Sequence, residues 1–213
     1  MKDVFLFWIQ GAGKGTQAKK ILETFWDRFS YFEAGNILRA MKSNDNAIWN
    51  YIKKIIDKWE LVDDELIVTF FDAFLITLDK WQAMLVDWFP RKLGQYYMMM
   101  ERFKKMKRDY VVIYLDLQEE EAIKRLSGRR ICEKCWAVYN IYKDWDLKVC
   151  PKCGGKLIIR HDDKPEIIKK RIELFKEETM PVIKEFEKQG IVYKIDASKS
   201  PEEVFEEIRW ILD

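Results

Sequence analysis

Three groups of residues in this 213-residue chain have types and spacings suited to chemistry. The first is GAGKGT, residues 11–16. Gly11, Gly13 and Gly15, with Ala12 between them, let a backbone approach anionic oxygens closely. If the loop opens a helix, its peptide N–H groups and the helix dipole favour phosphate there. Lys14 adds a mobile positive charge for a transferred phosphoryl group, and the Thr16 hydroxyl can serve Mg2+. The strict motif has Ser or Thr directly after Lys; here Gly15 intervenes. The second group is Cys132 and Cys135 (CEKC) with Cys150 and Cys153 (CPKC), framing a 14-residue spacer. Four thiolates so spaced suit tetrahedral Zn2+ with no position left open, which makes the metal structural. The third group is the arginines Arg39, Arg91, Arg125, Arg129, Arg160 and Arg171. Phosphoryl transfer needs positioning, water exclusion and positive charge near the equatorial oxygens. Arg125 and Arg129 stand before the cysteine segment and Arg160 after it, as on a mobile lid. Asp162 and Asp163 either order those arginines or are ordinary acids. His161 reads as a solvated neighbour and Met98–Met100 as helix packing.

These residues need a scaffold. VFLFWI (4–9) reads as a buried strand, followed by the glycine turn and a helix from Lys14 to about Phe25. FSYF (29–32), QAMLV (82–86), YVVIYL (110–115) and IVYKI (191–195) are further strands. Helical patterns cover 36–58, 95–107, 118–127, 164–188 and 201–212, with Pro165 and Pro201 where a first helical turn tolerates proline. Strands apolar throughout and alternating with helices predict a parallel sheet covered on both faces, with 129–160 as an inserted lobe.

Composition bounds the rest. The chain is 48% hydrophobic and 35% charged, with a net charge of +2, which favours one core domain and gives no reason to expect nucleic acid or a membrane surface as partner. No targeting segment is visible, so a soluble, cytoplasmic location is expected. Two CxxC pairs in a reducing compartment favour metal over disulfides.

Taken in order, these motifs resemble the adenylate kinase family, in its long form with a zinc-bearing lid, over nearly the whole chain. GAGKGTQ is similar to the family's phosphate loop, AGNILR (34–39) to its Thr-Gly-Asp-x-x-Arg element, and WELVDDEL (59–66) to Gly-Glu-Leu-Val-x-Asp-Glu. DWFPRKLGQ (87–95) resembles Asp-Gly-Phe-Pro-Arg-x-x-x-Gln, and RLSGRRICEKC (125–135) and RHDD (160–163) resemble the lid's entrance and exit. The resemblance implies a P-loop nucleoside monophosphate kinase fold with a five-stranded parallel sheet. Its core would be 1–31, 62–128 and 161–213, its monophosphate-binding lobe 32–61 and its zinc-binding lid 129–160. The implied reaction is ATP + AMP ⇌ 2 ADP by a monomer, with Mg2+ carried by ATP and a structural Zn2+. Lys14, Arg91, Arg129, Arg160 and Arg171 would hold the phosphates in line. Gly11–Thr16, Arg125, Val138, Tyr139 and the backbone near Lys199 would form the ATP site. Ala34, Gly35, Arg39, Glu60, Leu61, Val62, Trp88, Phe89, Pro90 and Gln95 would join Arg91, Arg160 and Arg171 around AMP. Asp87 would organise Mg2+ through water, and Asp162 and Asp163 would help close the lid. The rival reading is an impaired kinase scaffold serving as a zinc-ribbon binding or regulatory module.

The departures concentrate in one residue type. Ala34 stands where the family has Thr, Asn36 where it has Asp, and Lys92 where it has Thr. Nine Trp accompany only nine Gly, where average usage would give roughly 15 Gly. Trp8, Trp26, Trp49, Trp59, Trp88 and Trp136 align with glycines of the family's pattern, and Trp145 lies in KDWD, a natural turn if it were KDGD. Such sites need positive φ or close backbone approach, so Trp is the bulkiest possible exchange. The expectation is that the gene reads UGA as glycine and that these seven positions are glycine in the encoded protein; UGG codons there would exclude it.

Overall fold

The structure, a computed structural model, describes residues 2–41, 45–58, 60–79, 81–144 and 147–213, with Arg39 described through its backbone. The readings placed on Trp59 and Trp145, and the Arg39 side chain, lie outside the described set.

Five strands form one parallel sheet: β1 (Asp3–Trp8), β2 (Phe29–Glu33), β3 (Ala83–Asp87), β4 (Tyr110–Asp116) and β8 (Val192–Asp196), in the order β2-β3-β1-β4-β8. All six residues of β1 are buried, because helices cover both faces of a central parallel strand. The chain leaves β1 toward β2 and β3 on one side and reaches β4 and β8 on the other. The carboxyl ends of strands at such a reversal form the crevice where open α/β sheets take ligands. Here those ends carry the glycine turn, Glu33 and Asp87.

The helices are α1 (Lys14–Thr24), α2 (Ala34–Ala40), α3 (Ala47–Ile56), α4 (Asp64–Ile76), α5 (Leu93–Met106), α6 (Glu119–Ser127), α7 (Pro165–Leu174), α8 (Met180–Glu187) and α9 (Pro201–Leu212). The single helical run expected over 36–58 is two helices. Asn46 restarts the chain as a cap, its side chain accepting from Trp49 N at 2.8 Å. The 164–188 run is α7 and α8 joined by a π-helical segment, Phe175–Thr179, in which Met180 N–H reaches Phe175 O. Pro181 lacks an N–H for the ordinary ladder, which explains the local change of pitch. The Ser200–Glu203 capping box starts α9.

Residues 129–160 hold a second, small sheet. β5 (Arg129–Cys132) pairs antiparallel with β6 (Val138–Asn140) and with β7 (Leu157–Ile158). The main core is aromatic beside β1: Phe5 lies 5.4 Å from Phe103 and 5.8 Å from Phe186 between ring centroids. None of the described helices is long and apolar enough to cross a membrane.

Candidate active site

Gly11 and Gly13 have φ of 94° and 84°, and a Cβ on Gly11 would lie 2.9 Å from the Ala122 carbonyl oxygen. The turn therefore requires glycine at 11 for both reasons. Gly13 caps α1, and Lys14 is its first residue, so the N–H groups of the first helical turn are turned outward toward an anion. A cleft of about 360 Å3 opens beside this turn, lined by Lys14, Gly15, Ala18, Leu22, Tyr31 and Glu33.

Lys14 Nζ is 2.8 Å from Asp87 Oδ2 and 3.0 Å from Glu33 Oε1. Tyr31 donates its hydroxyl to Asp87 and, at 3.2 Å, to Glu33 Oε2. The ends of β2 and β3 thus meet on one ammonium group. Sequence reading proposed Asp87 but missed Glu33 and Tyr31, because nothing in their spacing shows that the end of β2 lies beside the glycine turn. Asp87 is buried, and its Oδ1 has no hydrogen-bond partner. A buried carboxylate with one oxygen unspent fits a water-bridged Mg2+.

Burial, only partly offset by the Lys14 charge, pushes the Asp87 carboxyl up to about 6. A carboxyl raised on folding contributes stability that is complete below the unfolded-state value, near 4, and lost as pH rises through about 6. The ionised form therefore costs on the order of 2–3 kcal/mol at neutral pH. The unfolding temperature of the unmodified protein should fall between pH 4 and 6 and level off above that. That of Asp87→Asn should be nearly flat over the same range, with Mg2+-dependent turnover strongly reduced. Parallel pH slopes for the two proteins would remove Asp87 as the cause.

The second half of the site is a cluster of guanidinium groups. Arg129 forms a two-pronged pair with Asp163, at 2.7 and 2.5 Å. Arg160 reaches Asp162 at 2.8 Å, and Arg171 reaches Asp162 at 3.1 Å. The two acids hold arginines from the start and end of the 129–160 lobe and from α7 in one place. Arg91 Nε is buried and unpartnered. Burial and then the neighbouring Arg171 charge bring its guanidinium down to about 9. Arg171 is lowered as well, first by burial, with Arg129 and Arg160 adding repulsion against the two acids. Like charges gathered with incomplete neutralisation are the donor set for a polyanion. Thr179, in the π-helical segment, donates to the Arg91 carbonyl at 3.2 Å and so ties that segment to the site.

Arg125 lies apart from this cluster. It hydrogen-bonds the carbonyls of Ala197 and Ser198 at 2.8 and 3.1 Å, next to Lys199, while Asn140 of β6 donates to the Arg125 carbonyl at 3.0 Å. That joins the root of the 129–160 lobe to the 197–199 loop. Val138 is exposed, and the Tyr139 hydroxyl is 3.2 Å from Cys150 Sγ. Phe89 is a core residue, its ring 4.9 Å from that of Phe71. Ala34 and Gly35 open α2, and Val62 is buried just before α4. Gln95 is buried in the first turn of α5.

The four cysteine sulfurs lie within 4.8 Å of one another. The Cys132 thiol is lowered, chiefly by backbone N–H groups of Cys135 and Lys134. Clustered sulfurs that receive peptide N–H groups fit a tetrahedral metal. The two CxxC turns can be compared directly. Gly154 follows Cys153 with φ 69° and donates to Cys150 O at 2.8 Å; Trp136 follows Cys135 with φ 60° and donates to Cys132 O at 3.0 Å. The same turn occurs twice, once with glycine and once with tryptophan.

Among the described residues, positive φ at non-glycine positions occurs at Trp88, Lys107 and Trp136. Trp26, one of the positions aligned with glycine, is not among them: it sits in an exposed turn after Phe25 caps α1. Trp49 lies in the first turns of α3 with ordinary helical backbone, and Trp8 ends β1 as extended chain. At Trp8 the question is space, not φ. Its ring centroid is 5.2 Å from that of Trp88 and 5.1 Å from Lys14 Nζ, and the Arg91 guanidinium lies 3.7 Å from the Trp88 ring centroid. The two indoles stand against the two cations that a phosphate would need.

A parallel sheet whose central strand feeds a glycine turn and a lysine-headed helix, faced by clustered arginines, defines a phosphotransferase of the P-loop nucleotide-kinase class. The family model for adenylate kinase matches residues 7–191, and the chain belongs to that family. It is 35% identical over 205 residues to an adenylate kinase of Petrotoga mobilis, covering 95% of this chain and 93% of that protein. It is 36% identical over 206 residues to one of Archaeoglobus fulgidus, covering 95% and 94%, and 35% identical over 213 residues to one of Methanosarcina barkeri, covering 99% and 98%. These relatives favour the kinase over the zinc-ribbon module.

Proposed function

We propose that this protein catalyses reversible, Mg2+-dependent phosphoryl transfer from ATP to AMP, giving two ADP, as a cytoplasmic monomer that balances adenine nucleotides. The observation that carries the reading is the gathered guanidinium set of Arg91, Arg129, Arg160 and Arg171, linked through Trp88 and Trp8 to the Lys14 turn. In the working state Lys14 leaves its carboxylate partners for the transferred phosphoryl group, and the arginines hold the two phosphate chains in line. Gly11–Thr16 cradle the ATP phosphates, with the ATP base beside Arg125, Val138, Tyr139 and Lys199. Ala34, Gly35, Arg39, Glu60–Val62, Trp88–Arg91 and Gln95 surround AMP. Mg2+ supplies charge neutralisation on the triphosphate, and Asp87 would hold it through water.

The lobes 32–61 and 129–160 close over the core of 1–31, 62–128 and 161–213, excluding water that would otherwise take the phosphoryl group. Asp162 and Asp163 anchor the lid's two ends by their arginine pairs. Cys132, Cys135, Cys150 and Cys153 would hold Zn2+, which stiffens a lobe with little core of its own. The test is ADP formation from ATP and AMP in the presence of Mg2+. Absence of turnover in a chain carrying glycine at 8, 88 and 136 would overturn the proposal.

The encoded residue at those three positions is, in this reading, glycine. Trp88 and Trp136 occupy left-handed backbone, Gly154 shows what the Trp136 turn uses elsewhere in the same lobe, and Trp8 fills the start of the phosphate turn. Trp136 is exposed, so Trp136→Gly relieves strain without losing packing. It should stabilise the protein by about 1 kcal/mol, read as a higher unfolding temperature of the zinc-loaded protein; a lower one would show that the indole is an accommodated part of the lid. Coding DNA with UGG at these positions would end the glycine reading.

A further inference from the structure

Gln95 is buried, and its side-chain amide is held from both ends. Arg91 N–H donates to Oε1 at 2.7 Å, and Nε2 donates to Asp64 Oδ1 at 3.1 Å. A backbone N–H can only donate, and a carboxylate can only accept. Both partners therefore select one of the two amide orientations. The flipped amide would set NH2 against N–H and oxygen against carboxylate. Asp64 is in turn fixed. Lys92 Nζ lies 3.2 Å from the same Oδ1, and a Cβ at Gly94 would come 2.2 Å from Oδ2, so the carboxylate occupies room that glycine leaves at the start of α5. Asp64 also lines an open groove of about 830 Å3 between α3 and α4, together with Ile48, Tyr51, Asp63 and Lys92.

A primary amide has two N–H donors and two acceptor lone pairs. The fixed bonds use one of each. One N–H and one lone pair remain, in an orientation that cannot invert. That pair matches a base edge that accepts at a ring nitrogen and donates from an adjacent amino group, as adenine does. It mismatches hypoxanthine, whose ring N–H donates and whose carbonyl accepts. We propose that Asp64 is a specificity-setting positioning residue: it locks the Gln95 amide so that the monophosphate site accepts 6-amino purines and rejects 6-oxo purines. The inference rests on the reading that Gln95 meets the acceptor base. It adds a reason for discrimination that the glutamine alone, free to flip, does not supply. Leaving a fixed polar group unmatched is what makes such rejection strong.

The experiment compares Asp64→Ala, Asp64→Asn and Gln95→Ala with the parent, all carrying glycine at 8, 88 and 136, with AMP and IMP as acceptors and unfolding temperature as a check on folding. For Asp64→Ala the AMP-over-IMP ratio of kcat/KM should fall about tenfold, through a rise in KM for AMP larger than any fall in kcat. Asp64→Asn should fall similarly, because its amide can itself turn to suit either orientation of Gln95. A ratio unchanged in both Asp64 variants while it falls in Gln95→Ala overturns the role of Asp64 and leaves base reading by Gln95 intact. A ratio unchanged in Gln95→Ala overturns that reading, and the proposal with it. Equal losses for AMP and IMP in the Asp64 variants would assign Asp64 a purely structural part.

Discussion

Trp88→Gly should raise kcat/KM for AMP by about 30-fold. Arg91 stacks on the Trp88 ring at 3.7 Å, with its Nε away from solvent. A desolvated cation–π contact is worth about 2 kcal/mol, and it must be surrendered before the guanidinium can grip a phosphate. Two kcal/mol is about a 30-fold change in an equilibrium. The expected stability change is small, because two effects oppose. Leaving the left-handed region removes about 1–3 kcal/mol of strain; losing a half-buried indole that packs on Trp8 and Arg91 forfeits a similar amount. Trp88→Ala separates the causes. It removes the ring but keeps a Cβ at φ 58°, so it should regain much of the activity while lowering the unfolding temperature. Rates within twofold of the parent for both variants would mean that the indole does not stand in the phosphate's way. Adding Trp8→Gly should extend the gain, since Trp8 presents the same kind of face to Lys14 at 5.1 Å.

How far the sequence spoke for itself depended on whether the signal was local. The five core strands were legible because a parallel strand buried on both faces is apolar throughout, and each expected run lies within a residue or two of its observed bounds. The glycine turn was legible because positive φ and close approach require glycine, which the Ala122 contact at Gly11 bears out. Helix α4 went unread. DELIVTFFDAFLI is apolar on nearly every side, so it offers no 3.6-residue contrast. The separate start of α3 was missed although Asn46, a residue type that favours caps, marks it.

Within the site, residue types could be chosen from chemistry, but their partners could not. Arginines before and after the cysteine lobe were sensible candidates. That Asp163 pairs with Arg129, and Asp162 with Arg160 and Arg171, follows only when the antiparallel lobe returns its exit to its entrance. Glu33 and Tyr31 are the sharper case, since neither sits in a motif and both reach Lys14 or Asp87 only because β2 and β3 end side by side. The tryptophans show the same boundary from the other direction. Their alignment with glycines marked them all as odd, yet the backbone bears the mark at Trp88 and Trp136 and not at Trp8, Trp26 or Trp49. A residue type can flag an exchange; only the fold tells which exchanges strain the chain, which fill a site and which are harmless at the surface.

Lys14→Met should lower kcat by about 10²–10³-fold, the scale for removing one preorganised charge that acts on the transition state. Methionine keeps the length of the stem, so packing is largely retained and the loss is electrostatic. The ammonium now lies between Asp87 and Glu33, at 2.8 and 3.0 Å. Those contacts hold it at the mouth of the glycine turn in the resting protein, and in the proposed reaction it trades them for phosphoryl oxygens. Because the charge acts mainly as the bond to the leaving phosphate breaks, KM values should change less than kcat. The protein should also stay folded. Without Lys14 the Asp87 carboxyl, already raised to about 6 by burial, rises further and takes up a proton near neutral pH, which offsets the missing counter-charge. The unfolding temperature should therefore move by only a few degrees, and less at pH 6 than at pH 8. A kcat within tenfold of the parent, measured in the glycine-bearing chain so that the indoles do not set the rate, would show that Lys14 is a structural partner of Asp87 and Glu33 and that the phosphoryl group is carried by the arginines alone.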